Sequence, residues 1–392
     1  MRVLIVGAGI AGVTAAQLLR RDGRHPVLIE RAADDSHPGY MLALMPMVDQ
    51  ALEELGVREQ YRENSVPLSR YAAHSHTGHM RREDSMSSIF DQYGDYRGIG
   101  RGELIEVLTT DDCAVTFDSA VTTLMDTASG VVATLAVGDQ THELEFDLVV
   151  VADGIHSATR AVVLGARPVE IVDTEWGGWV VWAPEDAESD LGEELWGAGF
   201  FLGTYPVKGS IGVFLGGPSA DTRGGAAPFI DRVRRSLKES SPRIESALRA
   251  VADDPDPYYW PLTDCRSPRW AFLRTALLGD AAAGFLPTAG IGAGMAMESA
   301  WVLTRMLRGA APAAIPAVLA AYEQAQRPRV ESAQSNSRAL AGAIFRRSRI
   351  LAVLRDLAIR MVSVTFALKP IQNLLANSPN PEPAVAEAER GR

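Results

Sequence analysis

Val3-Leu4-Ile5-Val6-Gly7-Ala8-Gly9-Ile10-Ala11-Gly12 lies at the start of the chain, and the reading of this stretch decides the fold. Val3–Val6 is fully apolar, as a strand buried on both faces is. It runs into Gly7-x-Gly9-x-x-Gly12, and Ile10–Leu19 follows with apolar residues at helical spacing. Pro26–Glu30 is a second apolar run that ends in an acid. Strand, glycine turn, helix, strand and acid, in that order, predict a nucleotide-binding βαβ unit. Gly7 permits the tight turn, Gly9 lets the backbone approach a pyrophosphate, and Gly12 lets helix and strand pack closely. The free N–H groups and positive dipole end of the helix attract the phosphates. Glu30 accepts hydrogen bonds from an adenosine ribose in this reading, and Ala11 and Arg31 join the candidate cofactor contacts. The bland alternative is a glycine-rich turn in an ordinary α/β domain.

Composition sets bounds on the rest. At 392 residues the chain has room for two or three domains, and 47% apolar with 22% charged residues is globular usage. A net charge of −11 argues against nucleic acid as a partner of the general surface. The only lysines are Lys208, Lys238 and Lys369. Cys113 and Cys265 match no metal or redox spacing and read as free thiols of a reducing compartment. No apolar run reaches the ~18–20 residues of a membrane span. The first apolar run is the nucleotide-binding strand rather than a signal, so a cytoplasmic location is the expectation.

Along the chain, Val48–Leu55 reads as a helix closed by Gly56, and Ile99–Leu108 as a turn into a helix. Residues 113–151 read as β, in runs Ala114–Phe117, Gly130–Val137 and Leu144–Val151, with a hairpin turn at Gly138–Gln140. Residues 171–217, rich in aromatics and broken by glycines, predict a separate antiparallel sheet. Residues 228–251 and most of 315–369 read as helical, as does Met295–Leu307. The tail from 377 to 392 has the composition of a disordered segment. The expected domains are 1–70, 99–170 and 265–335 for the nucleotide, 71–98 and 171–264 for substrate, and a helical segment 336–376.

Three segments, LIVGAG, LVVVADGIHSATR and ALLGDAAAGFLPTAGIGAG, share one design: an apolar strand delivers a polar residue to the edge of a parallel sheet. With these motifs in this order, residues 1–335 resemble the FAD-dependent aromatic hydroxylases, single-component flavoprotein monooxygenases of the para-hydroxybenzoate hydroxylase type. The resemblance implies a Rossmann-like α/β FAD-binding domain with an interleaved antiparallel β-sheet substrate domain and C-terminal helices. It implies that Gly7, Gly9 and Gly12 hold the FAD pyrophosphate and Glu30 the ribose. Arg101 matches the family's arginine beside the phosphates and ribityl chain, and Val121 the residue against the adenine. Asp153-Gly154 with Ser157 and Arg160 matches D-G-x-x-S-x-x-R. Asp280 of Gly279-Asp280 matches the ribityl-binding aspartate. Pro287 and Gly290, Ile291 and Gly292 match the loop and helix start beside the isoalloxazine. Backbone N–H groups there suit the negative charge of a reduced flavin.

The implied activity is hydroxylation or epoxidation of an aromatic or polycyclic small molecule. NADPH or NADH and O2 are the co-substrates, a flavin C4a-hydroperoxide the oxidant, and secondary metabolism or xenobiotic breakdown the setting. No catalytic side chain is singled out. The chain departs from the family pattern at Ala283, where histidine is frequent, and at Met295 and Glu298, near a usual asparagine and aspartate. Rival readings are a reductase of enones or isoprenoids and a flavin-binding protein with little catalysis. A halogenase is disfavoured: no lysine precedes Lys208, and Trp179-Val-Val-Trp182-Ala-Pro184 has the wrong spacing.

No histidine follows His156, which excludes a Ser–His–Asp site in the second half. His74, His76 and His79 read as a polar strand and turn rather than metal ligands, because residues 74 and 76 share a strand face and 79 does not. No metal is expected. Trp176, Trp179, Trp182, Phe201 and Phe214 are candidates for an apolar substrate pocket, with a packed sheet face as the alternative. Phe345–Lys369 reads as a basic amphipathic helix. It suits packing on the body or on a second subunit of a homodimer, with peripheral contact to an anionic membrane as the other reading.

Overall fold

The computed structural model describes residues 1–34, 39–109 and 114–381. Cys113 and the tail from 382 onward lie outside them. The first strand, Val3–Val6, is central to a six-stranded sheet ordered 271–272, 275–277, 148–151, 3–6, 27–29, 115–116. Its pairs are parallel except the hairpin of 271–272 with 275–277. Leu4 and Ile5 are fully buried, which explains why the strand is apolar at every position. The helix Ile10–Arg21 packs on this sheet and on the helix Gly292–Leu307, a 16-residue element that starts three residues earlier than the sequence suggests.

An eight-stranded sheet is ordered 283–284, 258–266, 170–184, 210–218, 201–207, 191–196, 70–74, 80–85. It is antiparallel except at one junction, where Leu191–Trp196 runs parallel to Arg70–His74. These two strands come from distant parts of the sequence, so no hairpin dictates their sense. Helices Ala226–Ser236 and Pro242–Asp253 cover one face through a core that includes Trp179, Phe229 and Leu248. The other face carries Trp176, Phe201 and Phe214.

Several expected boundaries shift. Leu144–Val151 is not one strand. Its first part ends the strand Gln140–Phe146 of a three-stranded ribbon, and Leu148–Val151 belongs to the six-stranded sheet. Asp147 makes the turn, accepting the Arg2 N–H at 2.6 Å and donating its own to the Arg2 carbonyl. The limits at 70/71, 170/171 and 264/265 fall inside strands Arg70–His74, Glu170–Pro184 and Tyr258–Arg266. The limit at 335/336 falls inside the helix Ile315–Ile344, which continues until Phe345 leaves helical geometry. Residues 377–381 are described, and Arg329 donates to the Asn377 carbonyl.

Glu298, the family departure, has a structural task. Its carboxylate takes two bonds of 2.8 Å from Arg329 and one of 2.9 Å from Gln326, joining helix Gly292–Leu307 to Ile315–Ile344. It is 2% exposed. Replacing it with Ala leaves the half-buried Arg329 charge with only the Leu374 and Asn377 carbonyls as partners. We expect Glu298→Ala to lower the unfolding free energy by about 3 kcal/mol, read as a fall in the urea midpoint.

Candidate active site

Gly12 is where the helix Ile10–Arg21 meets the glycine turn. A Cβ there would sit 1.9 Å from the Gly7 carbonyl oxygen, so no other residue allows this approach. Gly7 abuts Ala152 and Asp153, which brings the end of strand Leu148–Val151 beside the turn. Gly9 faces open space: an added Cβ meets nothing within 4 Å. The first N–H groups of the helix therefore point into a crevice without intrahelical acceptors. Glu30 is fixed at the next strand end, its carboxylate accepting the Ala8 N–H at 2.8 Å and the Ala32 N–H at 3.1 Å. Ser119 donates to the Glu30 carbonyl, and Val121 follows two residues later, 6% exposed. Arg31 is exposed beside them.

Gly279-Asp280 approaches the same helix start from the end of the strand Thr275–Leu277. Gly279 has φ +59°, and a Cβ would lie 2.7 Å from that of Ala11, so loop and helix are in direct contact. Asp280 is accessible to solvent. Protein atoms nevertheless restrict its hydration and lift its carboxyl to about 6, with the Arg160 charge opposing. Among the described residues no donor reaches that carboxylate. Asp280 and Gly292 line one small recess with Ala283 and Phe285. Pro287–Ala289 forms a helical turn, Gly290 packs near Ala43, and Ile291, 1% exposed, precedes the helix that starts at Gly292. That second helix N-terminus also offers unsatisfied N–H groups. Arg101 starts the helix Arg101–Leu108; its N–H donates to the Tyr40 carbonyl and its side chain bonds the Tyr40 hydroxyl.

Three motif residues, Asp153, Ser157 and Arg160, work on the frame instead of the crevice. The Asp153 carboxylate is taken up by the Ser157 hydroxyl and the Thr159 N–H. Ser157 in turn caps helix Ala158–Leu164. Arg160 is 7% exposed and donates to the carbonyls of Ile155 at 2.7 Å and Ala281 at 3.1 Å, and to Cys265 Sγ at 3.3 Å. It bolts the Asp153 loop to the Asp280 loop. Burial raises the Cys265 thiol above its ordinary range, so the sulfur is a packed acceptor and not a nucleophile.

The five aromatic candidates divide. Trp176, Phe201 and Phe214 share the inner sheet face with Leu286, Tyr40 and Trp260, and Phe345 stacks on Trp176 at 4.6 Å. Trp179 points the other way, into the helical layer against Phe229 and Tyr259. Trp182 is 37% exposed. Trp179 does not belong to an inner pocket, because strand alternation sends it to the far face, whereas Trp182 keeps the parity of Trp176 and Val180 at the open end of the inner face. Sequence reasoning missed a polar group on the inner face. Glu194 accepts the Tyr71 hydroxyl at 2.7 Å, the Trp196 Nε1–H at 2.7 Å and the Tyr205 hydroxyl. Burial, then the nearby carboxylate, holds both tyrosines well above their usual pKa, so they stay neutral donors. Glu194 shares one strand face with Gly192 and Trp196 along Leu191–Trp196, the only sequence sign that it faces inward.

The three histidines disperse. His74 pairs with Glu193 at 2.7 Å, His76 with Asp356 at 2.6 Å and His79 with Glu239 at 2.6 Å. Among the described residues no cluster of three metal-ligating side chains forms.

Residues 1–337 match the family model described as an FAD binding domain. The chain belongs to the FAD-dependent aromatic hydroxylase family. It is 29% identical over 363 residues to the 3-amino-4-hydroxybenzoate 2-monooxygenase PtnB3 of Streptomyces platensis, covering 86% of this chain and 87% of that one. A flavin-dependent monooxygenase of an unknown prokaryotic organism is 25% identical over 322 residues, 79% of this chain and 81% of its own. The fold is that of Klebsiella pneumoniae HpxO, solved with FAD and uric acid, at a TM-score of 0.85, 24% identity and 97% of each chain. Tetracycline destructase Tet(55) has the same fold at a TM-score of 0.72 and 21% identity, over 96% of this chain and 98% of that one. The chain is therefore an FAD-dependent monooxygenase by family. No helix among the described residues is long and apolar enough to cross a membrane.

Arg160 is the joint of the site. Substituting Met keeps its bulk but leaves the Ile155 and Ala281 carbonyls unpaired. We expect Arg160→Met to cost about 2–4 kcal/mol of stability, measured by chemical denaturation. Losing its charge also raises the Asp280 pKa further, since Arg160 is the group that lowers it.

Proposed function

We propose that this protein binds FAD along the crevice between the helix Ile10–Arg21 and the helix Gly292–Leu307. There it hydroxylates or epoxidises an aromatic or polycyclic small molecule with O2 and NADPH or NADH. One observation carries the reading: Ala11, in the first turn of the helix Ile10–Arg21, touches the Gly279-Asp280 loop, whose undonated carboxylate shares a recess with the start of the helix at Gly292. The donor set fits the cofactor. Gly7, Gly9, Ala11 and Gly12 present backbone N–H groups to a pyrophosphate. Glu30 takes the ribose hydroxyls, with Arg31 and Val121 flanking the adenosine. Asp280 and Arg101 meet the ribityl chain, and Pro287, Gly290, Ile291 and Gly292 the ring. Asp153 shapes the loop beside the pyrophosphate through its bonds to Ser157 and Thr159. When bound, FAD supplies the redox chemistry that activates O2.

The chain's own residues then orient substrate and exclude water. Phe201, Phe214 and Trp176 provide the apolar surface. Glu194, held by Tyr71, Tyr205 and Trp196, provides a charged acceptor for an N–H or O–H of the substrate. PtnB3 is named for an amino-hydroxybenzoate, and HpxO was solved with uric acid; both compounds are flat and carry such donors. The small molecule is thus expected to be a flat ring bearing a hydroxyl or amino group.

FAD-loaded protein should oxidise NADPH or NADH and consume O2 when such rings are added; silence across a broad panel would overturn the proposal. Glu194→Gln should raise KM for the accepted substrate about tenfold, the worth of one charge-assisted hydrogen bond. The Asp280 carboxyl titrates near 6, and a ribityl hydroxyl prefers the ionised acceptor. FAD affinity should therefore fall as pH drops below 6, by about tenfold at pH 5. A fluorescence titration of FAD checks this, and Asp280→Asn should flatten the profile.

A further inference from the structure

The helix Arg349–Met361 is mounted with its polar side inward. Ala352 is fully buried and Asp356 is 4% exposed. Asp356 accepts the His76 backbone N–H at 3.1 Å and pairs with His76 Nδ1. Arg355 donates to the carbonyls of Ile344 at 3.0 Å, Gly197 at 3.1 Å and Trp196. Arg82 holds the far end through the carbonyls of Ile359, at 3.1 Å, and Val362. Hydrogen bonds therefore attach this helix to the body.

Its apolar stripe points the opposite way. Ile350, Val353, Leu354, Leu357 and Met361 follow helical spacing and are 75, 53, 57, 56 and 79% exposed. Phe366, just beyond, is 68% exposed. Arg349 and Arg360 edge the stripe, and Arg346, Arg347 and Lys369 are exposed around it. The one acid between Phe345 and Lys369 is Asp356, and it is spent on His76. In a chain of net charge −11 this is an island of positive charge around bare hydrocarbon.

We propose that this face docks on an anionic membrane leaflet, with the helix Arg349–Met361 lying in the headgroup plane and its stripe among the acyl chains. An apolar stripe edged by arginine is what anionic lipid accepts. A second copy is disfavoured by charge: a two-fold contact sets this face against itself, bringing the arginines together with no exposed acid between Phe345 and Lys369 to offset them. The proposal does not depend on the flavin chemistry.

The test is co-sedimentation of the full FAD-loaded chain with vesicles of phosphatidylcholine containing about one third phosphatidylglycerol, against phosphatidylcholine alone. Binding to the anionic vesicles should be at least about tenfold stronger and should weaken at about 0.5 M salt. The double variant Leu354→Asp, Leu357→Asp changes exposed positions, so flavin absorbance and thermal midpoint should hold while vesicle binding is lost. The double variant Arg349→Glu, Arg360→Glu should remove the preference for anionic lipid. Failure to sediment with either vesicle overturns the proposal. So does a dimer, detected by light scattering, that forms in place of vesicle binding and that the aspartate pair abolishes.

Discussion

The site depends on how closely one helix approaches two loops. Helix Ile10–Arg21 touches the glycine turn at Gly12 and the Asp280 loop through Ala11 and Gly279. Neither contact tolerates an added carbon. Side-chain bulk at either point would push the helix outward and carry its N-terminal N–H groups away from the crevice. The dinucleotide cradle is thus set by backbone contact, and the small residues are there to allow it. Apolar packing of Leu4, Ile5 and their neighbours holds the sheet in place, but the spacing at these two contacts sets the width of the groove.

Charge is distributed to keep that groove unfinished. Three charged groups of the frame are satisfied inside the protein: Glu298 by Arg329, Arg160 by carbonyls, Asp153 by Ser157 and Thr159. Asp280 is different. It has a cation nearby yet no donor, so its carboxylate is held at partial hydration with lone pairs facing out. A carboxylate crowded by protein on one side and open on the other is an acceptor that a ligand's hydroxyls can complete.

How much of this was readable in the sequence follows from the range of the interactions. The first βαβ unit was legible because strand, glycines, helix and acid are contiguous. The Gly279-Asp280 loop was legible through its resemblance to a family. What local pattern could not reveal was partnership across long separations. Glu194 meets Tyr71 from 123 residues away, and Arg160 meets Ala281 from 121. The face taken by Trp179 depends on which side the helices Ala226–Ser236 and Pro242–Asp253 cover, and nothing in its neighbours encodes that. The parallel junction of Leu191–Trp196 with Arg70–His74 was missed for the same reason.

The C-terminal segment shows the limit most sharply. Its amphipathic pattern was plain in the sequence, and pattern alone favours burying the apolar stripe on the body. The body instead offers His76, Arg82 and the carbonyls of Trp196 and Gly197, all of which seek polar partners. Satisfying those groups turns the helix over, because an unpaired buried polar group costs more than an exposed leucine. The same chain joins this helix to the aromatic sheet face: Phe345 stacks on Trp176, and the helix Arg349–Met361 begins four residues later. Within the helix, Arg355 lies over the Trp196 ring, so this segment meets the aromatic face at two points.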